Sequence, residues 1–531
     1  MSIRAYRRRR IAVLLLGMCA LAPFTYNCHR AVDHSALTTQ GTPDSEDQSV
    51  VALENLADDG APQDEPKVRV GAAVAAASGG SLKATASSLE AGSQLMVLVD
   101  NKCRDEQVRS LGSQKLAASA SSKIMEAAGS ESIPSMRFQA VEWNLDQSLS
   151  FDELNALADS DPCIARVDKN QQYQFKLPEP VSVGSLSASE QEQLAASSGG
   201  EAGIQATAND PMLTNARHIA FSKALLGWDW FYSSAGVKSD VVVAVIDTGI
   251  FATHPDLIDN VWLNNGSNGY DFINNDNNPA DDHGHGTHVA GIIGARANNN
   301  VGVTGVMGTN IKLMGVKVLA ANGSGGDAGI ANGIRFAADN GAHVINMSLG
   351  GPGQSTAVRD AMVYALSRKV TIIVAAGNEN AEITAANFVM PAGYAKDYPG
   401  ILAVASVDAV TGARSGFSNF SPTYVWIAAP GSNGIRSTYI APDNYRDLQG
   451  TSMASPVVAG AAALVIGAFH AHGVAQPEPS AVTRLLTDSS RPVAGLVSVV
   501  RNGATLDIER LGRQFYSRYV MAGDGGSEVR P

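Results

Sequence analysis

The segment that most constrains the fold runs from residue 241 to residue 469, where short apolar runs alternate with helical patterns. Uninterrupted runs rich in Val and Ile indicate strands that are buried on both faces. Their alternation with helices predicts an α/β fold, a parallel sheet covered by helices on both faces. Sites in such sheets form at the carboxyl ends of the strands. The apolar runs are Val241–Ile246, Ile311–Leu319, His343–Met347, Val370–Val374 and Ile401–Ala405, and the helical patterns are His288–Ala297, Ala328–Asn340, Ser355–Ser367 and Ser452–Phe469.

Three reactive side chains lie at the ends of these elements, in the order Asp, His, Ser. Asp247 follows the first apolar run, His285 precedes a helical pattern, and Ser452 begins the last one. A serine hydroxyl becomes a nucleophile when an imidazole takes its proton and a carboxylate orients that imidazole. Asn378, at the end of another strand, can donate to the developing oxyanion together with the backbone N–H of Ser452. Each residue alone also fits a turn or a helix cap, so the prediction rests on their joint order.

Five motifs around these residues resemble those of the subtilisin family of serine proteases, especially its thermitase-like bacterial branch. The resemblance covers residues 209–512 and implies an endopeptidase with Asp247, His285 and Ser452 as triad and Asn378 as oxyanion donor. It also implies an acyl-enzyme intermediate, protein or peptide substrates, and a monomer made as an autoprocessed zymogen. The motifs are VAVIDTGI around Asp247, GHGTHVAG around His285, INMSLGG from Ile345, VAAGNE around Asn378 and GTSMASP around Ser452.

The same resemblance implies a substrate cleft built from small residues. A Gly-rich stretch is expected to pair with the substrate backbone as an added strand, and an ordinary loop is the alternative. Uncharged walls predict a broad preference for an apolar or aromatic residue before the cut, while Asp327 is expected to favour basic side chains in the outer cleft. The pairing stretch is Gly323, Ser324 and Gly325, and the pocket walls are Ser348, Leu349, Gly350 and Gly351 with Ala375, Ala376 and Gly377.

Three histidines, His283, His285 and His288, raise the alternative of a metal-dependent hydrolase. Their spacing is that of the metallo-β-lactamase type hydrolases, which carry an Asp immediately before the third histidine. Thr287 stands at that position. A non-catalytic binding or adhesion protein is a further alternative, which the complete triad argues against.

Calcium has a better place than the histidine cluster, because it prefers several oxygen ligands on loops. Residues 297–303 resemble the family's calcium loop, and a second loop, YDFINNDNNP, resembles another site of the thermitase branch, although Asn274 stands where that branch has an Asp. One or two structural calcium ions are therefore expected, with Asn-rich turns as the alternative. The expected ligands are Asp256, Ala297, Asn299, Val301 and Val303 at the first site, and Asp271 and Asp276 at the second.

The N-terminus has the pattern of an export signal. Arg4 and Arg7 to Arg10 precede an apolar run, Ile11–Ala22, that is too short to span a bilayer. A lipoprotein attached at Cys19 and a short buried helix are the alternatives. We therefore expect a secreted protein, extracellular or periplasmic, and the net charge of −12 argues against a nucleic-acid partner.

Composition divides the rest of the chain. We expect an export signal (1–30), a flexible leader (31–94), a propeptide or inhibitor-like α+β domain (95–177), a linker with the maturation site (178–208), the peptidase domain (209–512) and a flexible tail (513–531). The propeptide is expected to inhibit its own peptidase domain until a cut between residues 197 and 210. Cys103 and Cys163 fall in it, and whether they form a disulfide is left open. Its expected elements are strands at Leu95–Asp100, Phe138–Trp143 and Ile164–Asp168, and a helix at Phe151–Ala158.

Overall fold

A nine-stranded sheet lies at the centre of the fold. The structure, a computed structural model, describes residues 88–89, 94–100, 124–126, 136, 138–145, 149–150, 164–192 and 208–521, all of which belong to one compact unit, Asp64–Pro531. The strands are β1 (Ser88–Leu89), β2 (Gln94–Asp100), β3 (Ile124–Glu126), β4 (Phe138–Leu145), β5 (Leu149–Ser150), β6 (Ile164–Lys169), β7 (Gln172–Gln174), β8 (Val241–Asp247), β9 (Gly269–Asp271), β10 (Ile311–Lys317), β11 (Ser324–Gly326), β12 (Val344–Met347), β13 (Gly351–Pro352), β14 (Thr371–Ala375), β15 (Val389–Met390), β16 (Ile401–Asp408), β17 (Ile427–Ser432), β18 (Ile435–Thr438), β19 (Tyr445–Leu448), β20 (Arg491–Pro492) and β21 (Ala504–Thr505).

Besides a helical stretch at residues 188–192, eight α-helices are found in the described residues. They are α1 (Arg217–Phe221), α2 (Ala224–Trp228), α3 (His285–Gly294), α4 (Asp327–Asp339), α5 (Thr356–Ser367), α6 (Thr451–Ala471), α7 (Pro479–Asp488) and α8 (Ile508–Phe515). Short 3-10 turns lie at Leu213–Asn215, Ile258–Asn260, Ala392–Lys396 and Ala494–Leu496, and π-helical turns at Asp229–Ser234 and Tyr516–Val520.

The strand order in the central sheet is β20-β21-β17-β16-β14-β12-β8-β10-β9. Every neighbouring pair is parallel except β20 with β21. The predicted α/β class is therefore confirmed, and each of the five apolar runs forms a strand of this sheet.

The two faces of β8 show how the sheet is covered. Val243 and Val245 pack into the same cluster as the apolar side chains of α3 and α6. Ala244 and Ile246 point the other way and pack with α4 and α5. Because side chains alternate along a strand, a run that is apolar at every position needs helices on both faces.

The helix α6 lies in the hydrophobic core. Its 21 residues are long and apolar enough to cross a membrane by length and composition, but its most apolar stretch is entirely buried within the protein. Burial explains why helix α6 is apolar on all sides.

A four-stranded antiparallel sheet, ordered β3-β4-β2-β6, packs on the outer side of α4. The backbone of Ala140 makes two hydrogen bonds with the side chain of Asn332, at 2.6 and 2.8 Å, and Oδ1 of Asn170 accepts from the N–H of Ala328 at 3.0 Å. The three strands predicted for the small domain are confirmed. The predicted export signal, Cys103, Cys163 and the predicted helix at 151–158 lie outside the described residues.

The C-terminal boundary differs from the prediction. A flexible tail was expected from residue 513, but α8 and a π-helical turn continue the chain to Val520. The ring of Phe515 is fully buried, with its centroid 6.4 Å from that of Phe231 and 5.0 Å from that of Phe469. Aromatic packing onto α6 therefore extends the ordered domain past residue 512.

Candidate active site

The carboxyl end of β8 and the start of α3 bring Asp247 and His285 together. Oδ1 of Asp247, the last residue of β8, lies 2.7 Å from Nδ1 of His285. The backbone N–H of Thr248 donates to the same oxygen at 2.8 Å. Both Asp247 and His285 are fully buried, so the carboxylate holds the imidazole in one orientation. Nε2 of His285 has no hydrogen-bond partner among the described residues, which leaves it able to take a proton.

Asp281 fixes the loop before α3, a role that the sequence analysis missed. Its Oδ1 accepts from the hydroxyl of Thr248 at 2.8 Å and from the N–H groups of His283 and Gly284 at 3.0 and 2.9 Å. Its Oδ2 accepts from the N–H and the hydroxyl of Thr287 at 2.9 and 2.6 Å. One carboxylate thus joins the turn after β8 to the first turn of α3. The signal was present, because an Asp side chain in a loop commonly accepts the backbone N–H two residues further on.

The helix α3 approaches the turn after β8 so closely that position 286 requires glycine. A Cβ at Gly286 would overlap the carbonyl oxygen of Gly249 and lie 3.2 Å from Cβ of Asp247. The N–H of Gly286 donates to the hydroxyl of Thr248 at 3.0 Å. The glycine therefore permits the contact between the carboxylate of Asp247 and the imidazole of His285, one residue earlier.

Ser452 lies in the first turn of α6, facing the end of β12. Its hydroxyl donates to the carbonyl oxygen of Ser348 at 3.1 Å, and the hydroxyl of Ser348 donates to the carbonyl oxygen of Ser452 at 2.9 Å. Asn346 on β12 donates to the Ser348 hydroxyl at 3.0 Å. The Ser452 hydroxyl is thus hydrogen-bonded to Ser348 and not to His285 in this structure.

Asn378 follows β14 and is held by the residue before the serine. Its Oδ1 accepts from the backbone N–H of Thr451 at 2.8 Å and from the Thr451 hydroxyl at 3.0 Å. The hydroxyl also accepts from the N–H of Gly377 at 3.0 Å. These bonds use the carbonyl side of the amide, so Nδ2 is the group presented to an oxyanion. Thr451 is a second residue that the sequence analysis did not single out.

The predicted walls of the specificity pocket follow two adjacent strands. Ser348 to Gly351 follow β12, and Ala375 to Gly377 end β14, which is hydrogen-bonded to β12. Both stretches therefore end beside the start of α6. Among the predicted wall residues, Ser348 is hydrogen-bonded to Ser452 and Gly377 to Thr451, and the pocket as a whole stays a prediction.

The Gly-rich stretch pairs with the chain's own residues 172–174. Strand β11 pairs antiparallel with β7, with Ser324 opposite Gln174, Gly325 opposite Tyr173 and Gly326 opposite Gln172. The N–H of Phe175 donates to the carbonyl oxygen of Gly323 at 2.9 Å. A peptide thus lies on this stretch as an added strand, which is the arrangement predicted for a substrate.

Beyond Phe175 the same segment passes close to Gly450 and Asn378, the predicted oxyanion donor. A Cβ placed on Gly450 would lie 3.1 Å from Cγ of Pro178 and 3.5 Å from Nδ2 of Asn378. Further on, the N–H of Val181 donates to the carbonyl oxygen of Asp447 at 2.8 Å. Residues 172–181 therefore occupy the cleft from β11 to β19.

The predicted calcium loop contains two neighbouring carboxylates. Asp256 is fully buried, and its oxygens accept from Nδ2 of Asn299 and the N–H of Val303, both at 2.8 Å. Asp210, which the sequence analysis did not assign, accepts from the N–H groups of Asn298 and Asn299 at 3.2 and 3.3 Å. Burial raises the pKa of Asp256 to about 6, and Asp210 adds to the rise. All donors to these carboxylates are neutral, so the pair lacks the positive charge that would stabilise it.

The second predicted calcium loop is satisfied by its own donors. Oδ1 of Asp271 accepts from the N–H groups of Ile273 and Asn274 at 2.7 and 2.9 Å, and its Oδ2 accepts from the Asn274 side chain at 2.8 Å. Asp276 is exposed and accepts from the N–H of Asn278 at 2.8 Å. The two carboxylates lie in one loop, and the second site stays a prediction that rests on the resemblance.

The three histidines of the loop take separate roles. The ring centroids of His283 and His285 lie 6.3 Å apart, and Nε2 of His288 lies 3.0 Å from the carbonyl oxygen of Arg446. Over the part of the chain that the structure describes, no three His, Cys, Asp or Glu side chains come together as a metal site. The geometry favours one working histidine.

Comparison with known proteins finds similarity to one family of serine proteases. Residues 238–505 match the family described as "Subtilase family". The thermophilic serine proteinase of Bacillus sp. (strain AK1) is 43% identical over 238 residues, which are 45% of this chain and 54% of that protein. Thermitase of Thermoactinomyces vulgaris is 40% identical over 260 residues, 49% of this chain and 85% of that protein. The chain thus spans about half the length of the first relative and most of the second. The crystal structure of fervidolysin from Fervidobacterium pennivorans is 22% identical and superposes with a TM-score of 0.58. The superposition covers 82% of this chain and 62% of the fervidolysin chain, and it shows a similarity of fold.

Proposed function

The chain belongs to the subtilase family of serine proteases, on its thermitase-like branch, and we propose that it is a serine endopeptidase acting through Asp247, His285 and Ser452. The observation that carries the proposal is the buried 2.7 Å contact between Asp247 and His285, in which Nε2 of the imidazole has no partner within the described ranges of the chain. Peptide bonds of proteins are the substrate.

The proposed reaction proceeds by two acyl transfers. Oγ of Ser452 attacks the carbonyl carbon of the peptide bond while its proton passes to Nε2 of His285, and Asp247 stabilises the imidazolium. Nδ2 of Asn378 and the N–H of Ser452 stabilise the oxyanion. The imidazolium then protonates the leaving amine, which leaves an ester on Ser452. Water, deprotonated by His285, attacks this ester and releases the acid, and the proton returns to Ser452.

The same site accounts for a zymogen. Residues 172–181 occupy the cleft, so they would block other substrates until they are cut. We place the first cut between Phe175 and Pro178, since this stretch links the paired strand to the oxyanion site. This location differs from the cut expected from the sequence, between residues 197 and 210. Most of that range lies outside the described part of the chain, which omits residues 193–207. Mass spectrometry of the processed N-terminus tests the assignment, and an intact Phe175–Pro178 stretch in the active enzyme would overturn it.

Calcium is the proposed structural cofactor of the Asp256 loop. The side chains of Asp256, Asp210 and Asn299 would hold the ion together with the carbonyl oxygens of Ala297, Val301 and Val303. Two neighbouring carboxylates with only neutral donors fit a divalent cation. The ion would neutralise them and stabilise the loop, and it takes no part in the proposed peptide hydrolysis. We also propose that the protein is exported from the cell, as the N-terminal signal pattern predicts.

Replacement of Ser452 by Ala tests the activity. Casein cleavage by the full-length Ser452→Ala chain should fall to background, while Ser480→Ala, at an exposed position of α7, should cleave casein at the original rate. Phenylmethylsulfonyl fluoride should stop cleavage and a zinc-selective chelator should not. Persistent cleavage by Ser452→Ala would refute the triad, and inhibition by the zinc chelator alone would favour the metal-dependent alternative.

A further inference from the structure

Tyr173, on the strand that occupies the cleft, fills a pocket that contains a buried carboxylate. Only 7% of Tyr173 is exposed, and its ring stacks on that of Phe175 with the centroids 5.4 Å apart and the planes at 28°. A Cβ on Gly351 would lie 2.9 Å from Cδ1 of Tyr173, so the absent side chain leaves space for the ring. The pocket therefore accepts an aromatic side chain opposite Gly325.

The carboxylate belongs to Asp327, the first residue of α4, which is 4% exposed. Its Oδ2 accepts from the N–H of Gln171 at 3.3 Å, but among the residues that the structure describes its Oδ1 has no hydrogen-bond partner of ordinary geometry. The same is true of the buried hydroxyl of Tyr173. The two groups face each other closely enough that Asp327, after burial itself, is the main cause that raises the pKa of the Tyr173 hydroxyl.

The surroundings of Asp327 are polar but neutral or acidic. The Ser355 side chain is a hydrogen-bonding neighbour, and Asp168 lies close enough to raise the pKa of Asp327 further, although burial is the largest cause. The hydroxyl of Tyr394 is already occupied, because it accepts from the N–H of Ser355 and donates to its carbonyl oxygen, each at 2.8 Å. A buried carboxylate oxygen with a free acceptor site gains from a donor supplied by the peptide.

We propose that Asp327 makes this pocket select tyrosine over phenylalanine in the substrate residue that pairs with Gly325. The inference rests on the proposed endopeptidase function, whose substrates would follow the path of residues 172–178. A phenylalanine ring fills the same space but leaves Oδ1 of Asp327 buried and unpaired, and sites with such groups reject the analogue that lacks the hydroxyl. This reading replaces the sequence-based expectation that Asp327 favours basic side chains, because the pocket holds a flat ring.

The test uses three peptides of residues 171–180, with Tyr, Phe or Lys at the position of Tyr173. The full-length chain is expressed, left to process itself and assayed on casein first. The Tyr peptide should then be cleaved with a kcat/KM about tenfold above that of the Phe peptide, as expected for a hydrogen bond to a charged acceptor. In the Asp327→Leu variant this ratio should fall to about one. The matched control is Asp339→Asn at the other end of α4, which should keep the tenfold ratio.

An equal ratio in the original chain and in Asp327→Leu, or a preference for the Lys peptide, would overturn the proposal. Absence of casein cleavage would instead count against the proposed function, and a second readout then applies. In the uncut Ser452→Ala chain with 13C at tyrosine Cζ, the Tyr173 signal is the one lost in Tyr173→Phe. It should shift in Asp327→Asn but not in Asp339→Asn, because Asp339 accepts from the hydroxyl of Tyr364 instead. An unmoved Tyr173 signal would refute the contact without any assay of activity.

Discussion

Asp281→Asn should destabilise the loop that carries His285. Three donors reach Oδ1 of Asp281, and an asparagine oxygen could keep them. The N–H and the hydroxyl of Thr287 reach Oδ2, and an amide NH₂ group in its place cannot accept from either. The substitution therefore removes two hydrogen bonds and sets the NH₂ against a buried N–H.

The magnitude follows from these two bonds. Hydrogen bonds to a charged acceptor contribute about 1.5 to 3 kcal/mol each. The Thr287 hydroxyl can rotate and accept from the new amide, which restores one of them. We therefore expect a loss of about 3 kcal/mol in the free energy of unfolding, which corresponds to a fall in Tm of roughly 4 to 5 °C for a domain of more than about 300 residues. Because the loop positions the imidazole, kcat should also fall by about 10 to 100-fold.

Thermal unfolding is best followed in the Ser452→Ala chain, where self-digestion is excluded, and kcat in chains that retain Ser452. The matched control is Asp282→Asn at the next position. The Asp282 side chain is half exposed and pairs with Lys317 at 2.6 Å, whose ammonium also donates to the carbonyl oxygens of Thr248 and Leu319. Because an asparagine oxygen can still accept from the buried ammonium of Lys317, this replacement should cost about 1 kcal/mol in the free energy of unfolding. Equal effects of the two substitutions on Tm and kcat would refute the role given to Asp281.

The central sheet could be predicted because its strands are continuous local patterns. Helix α3 was predicted from His288 but begins at His285, since Gly284 and Gly286 weaken the helical pattern where close approach requires glycine. Strand β17 was not predicted at all. Its sequence, IAAPGS, contains Pro and Gly, and its position depends on parallel pairing with β16.

The candidate site was predictable where motifs are local and not where distant segments meet. Nothing near Asp210 indicates that it lies beside Asp256, because the chain between them forms helices and a strand of the central sheet. Similarly, the Gly-rich stretch at 323–325 predicts an edge for an added strand, but the occupant depends on where the small sheet docks on α4. Contacts of this kind are set by tertiary packing, which short sequence patterns do not contain.

Two further predictions concern calcium and acid. Chelation of calcium should lower Tm by several degrees, since an ion at 100 times its Kd contributes about 2.7 kcal/mol. Asp256→Asn should remove this calcium dependence while Asp271→Asn keeps it, and the reverse would move the ion to the second loop. The other concerns His218, which is 1% exposed and whose ring nitrogens have no hydrogen-bond partner in the described part of the chain. Burial lowers its pKa from 6.5 to about 3. Below about pH 6.5 the unfolded chain therefore binds a proton at His218, whereas the folded chain does not. The contribution of neutral His218 to the free energy of unfolding is thus complete above pH 6.5 and is lost as the pH falls toward 3. At pH 5 the free energy of unfolding is lower by about 2 kcal/mol than at neutral pH. In the Ser452→Ala chain, His218→Leu should therefore raise Tm at pH 5 by more than at pH 8, and an identical shift at both values would show that His218 does not stay neutral in the folded protein.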